Sequence, residues 1–281
     1  MAATLDSVAA IERELAAERA DEDSSRLRTS VMTHLAWVPE EWVEAAEDVL
    51  SGLAERHPSR TIVLFPESGE GGLEGEVALE CFASGGGARS VCTETIRIRL
   101  HGTGTEHPAS VVQPLLISDL PVFLRWRGQP PFESSPWEEL IGIVDRLIVD
   151  STEWPDLPAA YARLADVFDR AVVSDIAWAR TSRWRPALAS LWPEIADVKT
   201  IRVEGTAAQA HLLAGWLRSR LGREVELEHQ ESEKLVGVDI DGEPVPFPPG
   251  DPPDPADQLS EELDRLTRDR VYEEAVRAAV T

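Results

Sequence analysis

Val172 to Trp192, VVSDIAWARTSRWRPALASLW, sets three tryptophans (Trp178, Trp184, Trp192) beside three arginines (Arg180, Arg183, Arg185). Indole rings and guanidinium forks stack on one another and anchor protein interfaces. The same arginines suit bidentate capture of a phosphate. A third use is a tryptophan-rich core from which the arginines reach out to water. The local pattern recurs at Arg125-Trp126-Arg127. Asp175, Trp178, Arg180, Arg183, Trp184 and Arg185, with Arg125 and Trp126, are therefore the candidate partner-binding residues. A protein partner is the first reading, and a sugar-phosphate or nucleotide sensor is the alternative.

Catalytic chemistry finds little support. The histidines (His34, His57, His101, His107, His211, His229) are scattered without ligand spacing, so no metal site is assigned. The glycines near residues 69–72 and 85–87 lie between strands, and neither GxGxxG nor a P-loop is present, so no cofactor is expected. There is no GxSxG elbow, and neither cysteine sits beside a basic residue at a helix start. His57, before Pro58, is placed to cap or pack. No catalytic residue is assigned.

The composition narrows the partners. With 281 residues and 43% hydrophobic content, including 9 Trp, the chain can bury a core in one large or two modest domains. Acidic residues outnumber basic ones 51 to 27, for a net charge of -24. Such a chain repels nucleic acid and anionic lipid, so neither is an expected partner. No window approaches the ~20 apolar residues of a membrane span. The acidic N-terminus is no signal peptide, and two cysteines suit a reducing compartment. A cytoplasmic protein is expected.

Periodicity then supplies the elements. Ser7 to Ala20 reads as a charged helix in a loosely attached arm. Arg28 to Val38, a helix from Pro39 that buries Trp42, Ala46 and Val49, and the strand Arg60 to Phe65 suggest a βαβ unit. Residues 74–83 and 90–100 read as a hairpin. Opposed residue numbers that sum to 173 place Arg97 across from Glu76, Arg99 from Glu74, Val77 from Ile96 and Cys81 from Cys92. The two thiols are expected reduced and packed as small hydrophobes, with a redox switch as the rival. Val122 to Arg127 reads as a strand, Trp137 to Ile141 and Leu157 to Ala171 as helices, and Ile143 to Asp150 as a strand. Beyond the opening stretch, Val198 to Val203 is a strand, and Thr206 with Gln209 forms a capping box ahead of a helix that Gly222 ends. Strands at 224–228 and 236–240, with the turn Asp241-Gly242, complete a β-α-β-β unit. Pro244 to Pro255 reads as an exposed connector without regular structure, and a charged helical tail follows.

The expected fold is α/β. Two mixed α/β units (βαβ plus β-hairpin at 26–171, then β-α-β-β at 172–249) lie between a helical arm at 1–25 and a proline-rich connector with a charged helix at 250–281.

Four segments carry a resemblance: HPSRTIVLF (His57 to Phe65), SDLPVFLRWRG (Ser118 to Gly128), VDSTEWPD (Val149 to Asp156) and SDIAWARTSRWRPALASLW (Ser174 to Trp192). In them the chain resembles the OpcA family of glucose-6-phosphate dehydrogenase assembly proteins, over roughly Arg28 to Val245. That resemblance implies a non-catalytic assembly or allosteric activator protein. Such a protein binds glucose-6-phosphate dehydrogenase and promotes its active oligomer at the entry to the oxidative pentose phosphate pathway. It implies no catalytic residue and leaves the chain's own oligomeric state open.

Overall fold

The structure, a computed structural model, describes residues 5–20, 26–28, 30–53, 57, 59–83, 90–249, 255–265 and 267–280. In chain order it runs through α1 (Val8–Ala20), β1 (Arg26–Arg28), β2 (Thr33–Trp37), α2 (Val43–Leu53), β3 (Arg60–Pro66), β4 (Leu73–Ala83) and β5 (Ser90–Leu100). Next come α3 (Thr103–Glu106), α4 (Pro108–Val112), β6 (Val122–Trp126), α5 (Ser135–Ile141), β7 (Arg146–Val149), α6 (Ala159–Ala165), β8 (Val172–Asp175), α7 (Ile176–Arg180) and α8 (Trp184–Ala189). The remainder is β9 (Thr200–Gly205), α9 (Ala207–Leu221), β10 (Glu226–Glu231), β11 (Gly237–Ile240), β12 (Glu243–Pro244), α10 (Pro255–Asp264) and α11 (Arg270–Ala279). Two compact units result: Met1–Ile148 with Pro255–Asp264, and Val149–Asp254 with Arg265–Thr281. The carboxy-terminal helices α10 and α11 are divided between the two units.

In the first unit the strand order is β1-β5-β3-β2-β6-β7, with β4 paired to β5. β2 and β6 are buried along their whole length, as strands covered on both faces must be. β2 runs parallel to β3 through α2, which is the expected βαβ connection. Trp37 faces Trp126 across the β2–β6 register, and their rings stack at 4.9 Å. Trp137 meets Trp126 edge-on at 5.2 Å. Three of the nine tryptophans thus build this core.

The hairpin register is the expected one throughout: Glu74 opposes Arg99, Glu76 opposes Arg97, Val77 opposes Ile96 and Cys81 opposes Cys92. Two local outcomes differ from expectation. Arg99 donates to Glu67 at 2.6 Å instead of closing on Glu74, because the end of β3 brings that carboxylate nearer. Cys81 and Cys92 form a disulfide, which corrects the reading of free thiols. Directly opposed positions, with Cα atoms 4.1 Å apart, bring the two sulfurs together. The hairpin tip, 84–89, lies outside the described residues.

The amino-terminal helix is not a loose arm. Ile11 and Leu15 of α1 are buried, and Leu5 exchanges backbone hydrogen bonds with Gly75 of β4 at 2.9 and 2.7 Å. Gly75 permits this approach, since a Cβ there would lie 2.6 Å from the Ile11 side chain. α10 is likewise seated. Leu259 and Leu263 are buried, His57 Nε2 lies 2.6 Å from Ser260 Oγ, and Glu262 lies 3.8 Å from buried Arg146.

Arg60 and Glu94 form a buried ion pair at 2.6 Å between β3 and β5. Arg60 Nε donates to Glu94 Oε2 at 2.7 Å, and its Nη1 donates to the Leu115 carbonyl at 2.6 Å. Removing one partner strands the other charge in the interior. Glu94→Ala is therefore expected to cost about 3–5 kcal/mol by urea denaturation, and exchanging both residues for leucine far less. Equal losses in the single and double variants would contradict this.

In the second unit the four-stranded sheet has the order β10-β9-β11-β12. β10 is parallel to β9, and β11 is antiparallel to it. The capping box forms as read: Thr206 Oγ1 accepts from the Gln209 amide while Gln209 Oε1 accepts from the Thr206 amide. Gly222, at φ 62, ends the helix in the left-handed conformation that glycine favours. The expected α/β class and the β-α-β-β order both hold.

Candidate functional site

Asp175 ends β8 and caps α7, so the strand-to-helix junction aims its carboxylate inward. The side chain is buried, yet it accepts four hydrogen bonds. They come from the Ala177 amide at 2.9 Å, the Ser151 amide at 3.0 Å, the Ser151 hydroxyl at 2.6 Å and the Tyr272 hydroxyl at 3.3 Å. Tyr161 OH lies 2.8 Å from the same Ser151 hydroxyl. Burial pushes the Asp175 pKa up to about 7, and repulsion from Asp150 adds to this, while the bonds from Ser151 and Ala177 oppose it. Both tyrosine hydroxyls are pushed well above their ordinary range, first by burial and then by the Asp175 charge.

A second layer surrounds this carboxyl. Asp150 accepts from Arg180 Nη1 at 3.0 Å, and from the Thr152 hydroxyl at 2.6 Å. Arg180 keeps 27% of its side chain exposed, so this layer reaches the surface. Trp178 donates its indole N–H to Asp269 at 2.9 Å, and its ring is tilted against Tyr272 at 5.8 Å. Arg185 lies over the Trp178 ring, with its guanidinium carbon 3.6 Å from the ring centroid. VDSTEWPD and SDIAWARTSRW, separate in the chain, therefore meet on one buried acid.

The placement of the proposed binding residues differs from a ready-made docking face. Trp178 and Trp184 are 3% and 4% exposed, and Asp175 is 1%. Their indoles fill the interior because α7 and α8 each turn one apolar side onto it. Arg125 and Trp126 are buried and belong to the first unit, whereas the other candidates belong to the second. The three arginines meet three different partners. Arg180 holds Asp150, Arg183 donates to the Pro248 carbonyl and stacks on Phe247, and Arg185 stacks on Trp178. The aromatic groups left open are Trp192, 66% exposed, and Phe247, 61% exposed.

Ser151, Tyr161, Asp269 and Tyr272 were not among the sequence candidates. A signal for two of them existed: the chain has only 2 tyrosines, and both surround the same carboxyl. Chemically, a carboxyl that titrates near neutrality beside hydroxyls could exchange protons. Ser151, Tyr161 and Tyr272 are all at 0% exposure, so the carboxyl and its hydroxyl partners are enclosed within the fold and tie separate segments together.

Two family models match the chain. Both describe a glucose-6-phosphate dehydrogenase subunit: the model of its N-terminal domain matches residues 51–166, and the model of its C-terminal domain matches residues 171–244. Among curated proteins, one from Nostoc punctiforme, provisionally named OxPP cycle protein OpcA, is 30% identical over 181 residues, 60% of this chain and 39% of its own length. A protein of the same name from Synechococcus elongatus is 27% identical over 227 residues, 71% of this chain and 50% of its own length. A third, from Synechocystis, is 25% identical over 60% of this chain and 38% of its own length. The chain thus spans half or less of the curated relatives it matches.

Proposed function

This chain belongs to the OpcA family, and on that footing we propose that it is a non-catalytic cytoplasmic factor that binds glucose-6-phosphate dehydrogenase and promotes its active oligomer in the oxidative pentose phosphate pathway. The observation that carries the reading is the pair of adjoining family models, both described as domains of a subunit of that enzyme. The buried state of the Asp175 cluster supports it, since a sealed carboxyl stabilises a binding scaffold and cannot receive a substrate. No helix of the described residues is long and apolar enough to cross a membrane, in keeping with such a role.

Activation by binding has one physical basis: the factor holds the competent state of the enzyme more tightly than the incompetent one. The indoles of Trp178 and Trp184 are packed inside the second unit. Contact is assigned to the partly exposed Arg180, Arg183 and Arg185 and to the exposed aromatic rings of Trp192 and Phe247, the latter lying against Trp184 and Arg183. Exposed aromatic anchors flanked by arginine carry a large share of binding energy at interfaces. Trp192→Ala is expected to weaken binding to the dehydrogenase at least tenfold in a titration, with an unchanged melting temperature.

The direct test mixes the purified chain with glucose-6-phosphate dehydrogenase at micromolar concentration. Co-elution in size exclusion, with a shift of the enzyme toward its larger oligomer and a raised initial rate, is the expected result. Independent elution with unchanged kinetics would remove the proposal.

A further inference from the structure

The second unit ends its sheet on an open edge. β10 bonds to β9 on one side only, and no strand among the described residues pairs with the other. The Glu226 amide donates to Lys199 O at 2.8 Å and the Ser232 amide to Gly205 O at 3.0 Å. Even-numbered residues of β10 therefore turn their backbone groups toward β9. In an extended strand the alternate residues point the opposite way, so the N–H and C=O groups of Leu227, His229 and Glu231 face outward. All of β10 is exposed except Leu227, which is half-buried. An edge of this kind is a template for one more strand.

Charge decides which strand it takes. α9 packs behind this sheet, where Ile201, Val203 and Val225 are buried. The opposite face carries Glu226 and Glu228, and neither makes an ion pair with any described residue. Glu204 and Asp239 continue that face on β9 and β11, where Arg202 is the cation, already turned to Gln230 and Asp239. A second copy offering its own β10 would lay glutamates beside glutamates, which opposes pairing. An incoming strand with arginine or lysine at alternate positions would instead set each cation beside Glu226 and Glu228.

We propose that the outer edge of β10 is a docking site for a basic extended segment of another protein, which adds to the sheet as a fifth strand along Leu227 to Glu231. Backbone bonds to the outward groups supply the affinity, and the glutamates select the sequence. This site involves neither Trp192 nor the Asp175 cluster, so it stands or falls independently of the dehydrogenase reading.

The probe is a labelled eight-residue peptide of alternating arginine and valine, titrated against the full chain by fluorescence anisotropy. Three controls accompany it: a glutamate–valine peptide, the arginine peptide methylated on its backbone nitrogens, and the chain carrying Glu226→Lys with Glu228→Lys. Saturable binding that weakens at least tenfold in every control is expected, with slowed hydrogen exchange at the amides of 227, 229 and 231. If the methylated peptide binds equally well, the attraction is charge alone and the strand-addition proposal fails. It also fails if the double variant binds undiminished, or if no binding occurs at 100-fold peptide excess.

Discussion

Asp175→Ala is expected to lower the stability of the second unit by about 3–5 kcal/mol, because it leaves the amides of Ser151 and Ala177 and the Ser151 hydroxyl buried without an acceptor. In a thermal melt this corresponds to a loss of roughly 10 °C. Asp175→Asn keeps one acceptor oxygen and is expected to cost about half as much. The asparagine variant also reads out the titration. The carboxyl has its pKa near 7 when folded, against 3.8 for the exposed group. Between those values the folded state keeps a proton that the unfolded state has released, so this residue's contribution to stability is complete below about 4 and declines as pH rises through 7. Melting temperatures of wild type should therefore fall between pH 5.5 and 8 by more than those of Asp175→Asn. Parallel curves for the two proteins would mean that Asp175 does not titrate in this window, and an unchanged melt for Asp175→Ala would mean that the cluster holds nothing together.

Local chemistry made much of the fold legible. The hairpin register followed from two charge pairs and two apolar pairs that only one alignment satisfies, and the capping box from Thr206 and Gln209 alone. What escaped was set by distant packing. Leu157 to Ala171 has helical spacing throughout, yet α6 covers only Ala159–Ala165. Val167 and Phe168 leave it to reach buried positions, and Tyr272 meets Phe168 at 5.9 Å. The tryptophan and arginine stretch was conspicuous, but composition cannot distinguish an indole pressed on a partner from one pressed inward. Trp178 and Trp192 have the same side chain and differ in exposure from 3% to 66%. The deciding groups, Asp269 and Tyr272, lie some ninety residues further along the chain.

That distant helix gives the second large effect. Gly215 lies on α9 against α11, and a Cβ added there would stand 2.2 Å from the Ala275 carbonyl oxygen and 2.8 Å from the Ala279 nitrogen. Both obstacles are backbone, so no rotamer change relieves them, and α11 must move as a body. α11 buries Tyr272, Ala275, Val276 and Ala279, takes a bond at 3.2 Å from Arg218 to the Ala278 carbonyl, and delivers the Tyr272 hydroxyl to Asp175. Gly215→Ala is therefore expected to cost about 3 kcal/mol, the upper part of the range for overpacking, and to expose the end of the chain to limited proteolysis. Gly222→Ala is the matched control. Its φ of 62 is strained for alanine, but an added Cβ meets nothing there, so about 1 kcal/mol is expected and α11 stays protected. Equal losses and equal cleavage in the two variants would mean that the seat of α11 does not set the cost at Gly215, since helix propensity by itself favours alanine there. A larger loss with early cleavage at Gly215→Ala alone would mean that closure over Asp175 depends on a position where two helix backbones leave room for nothing beyond a hydrogen.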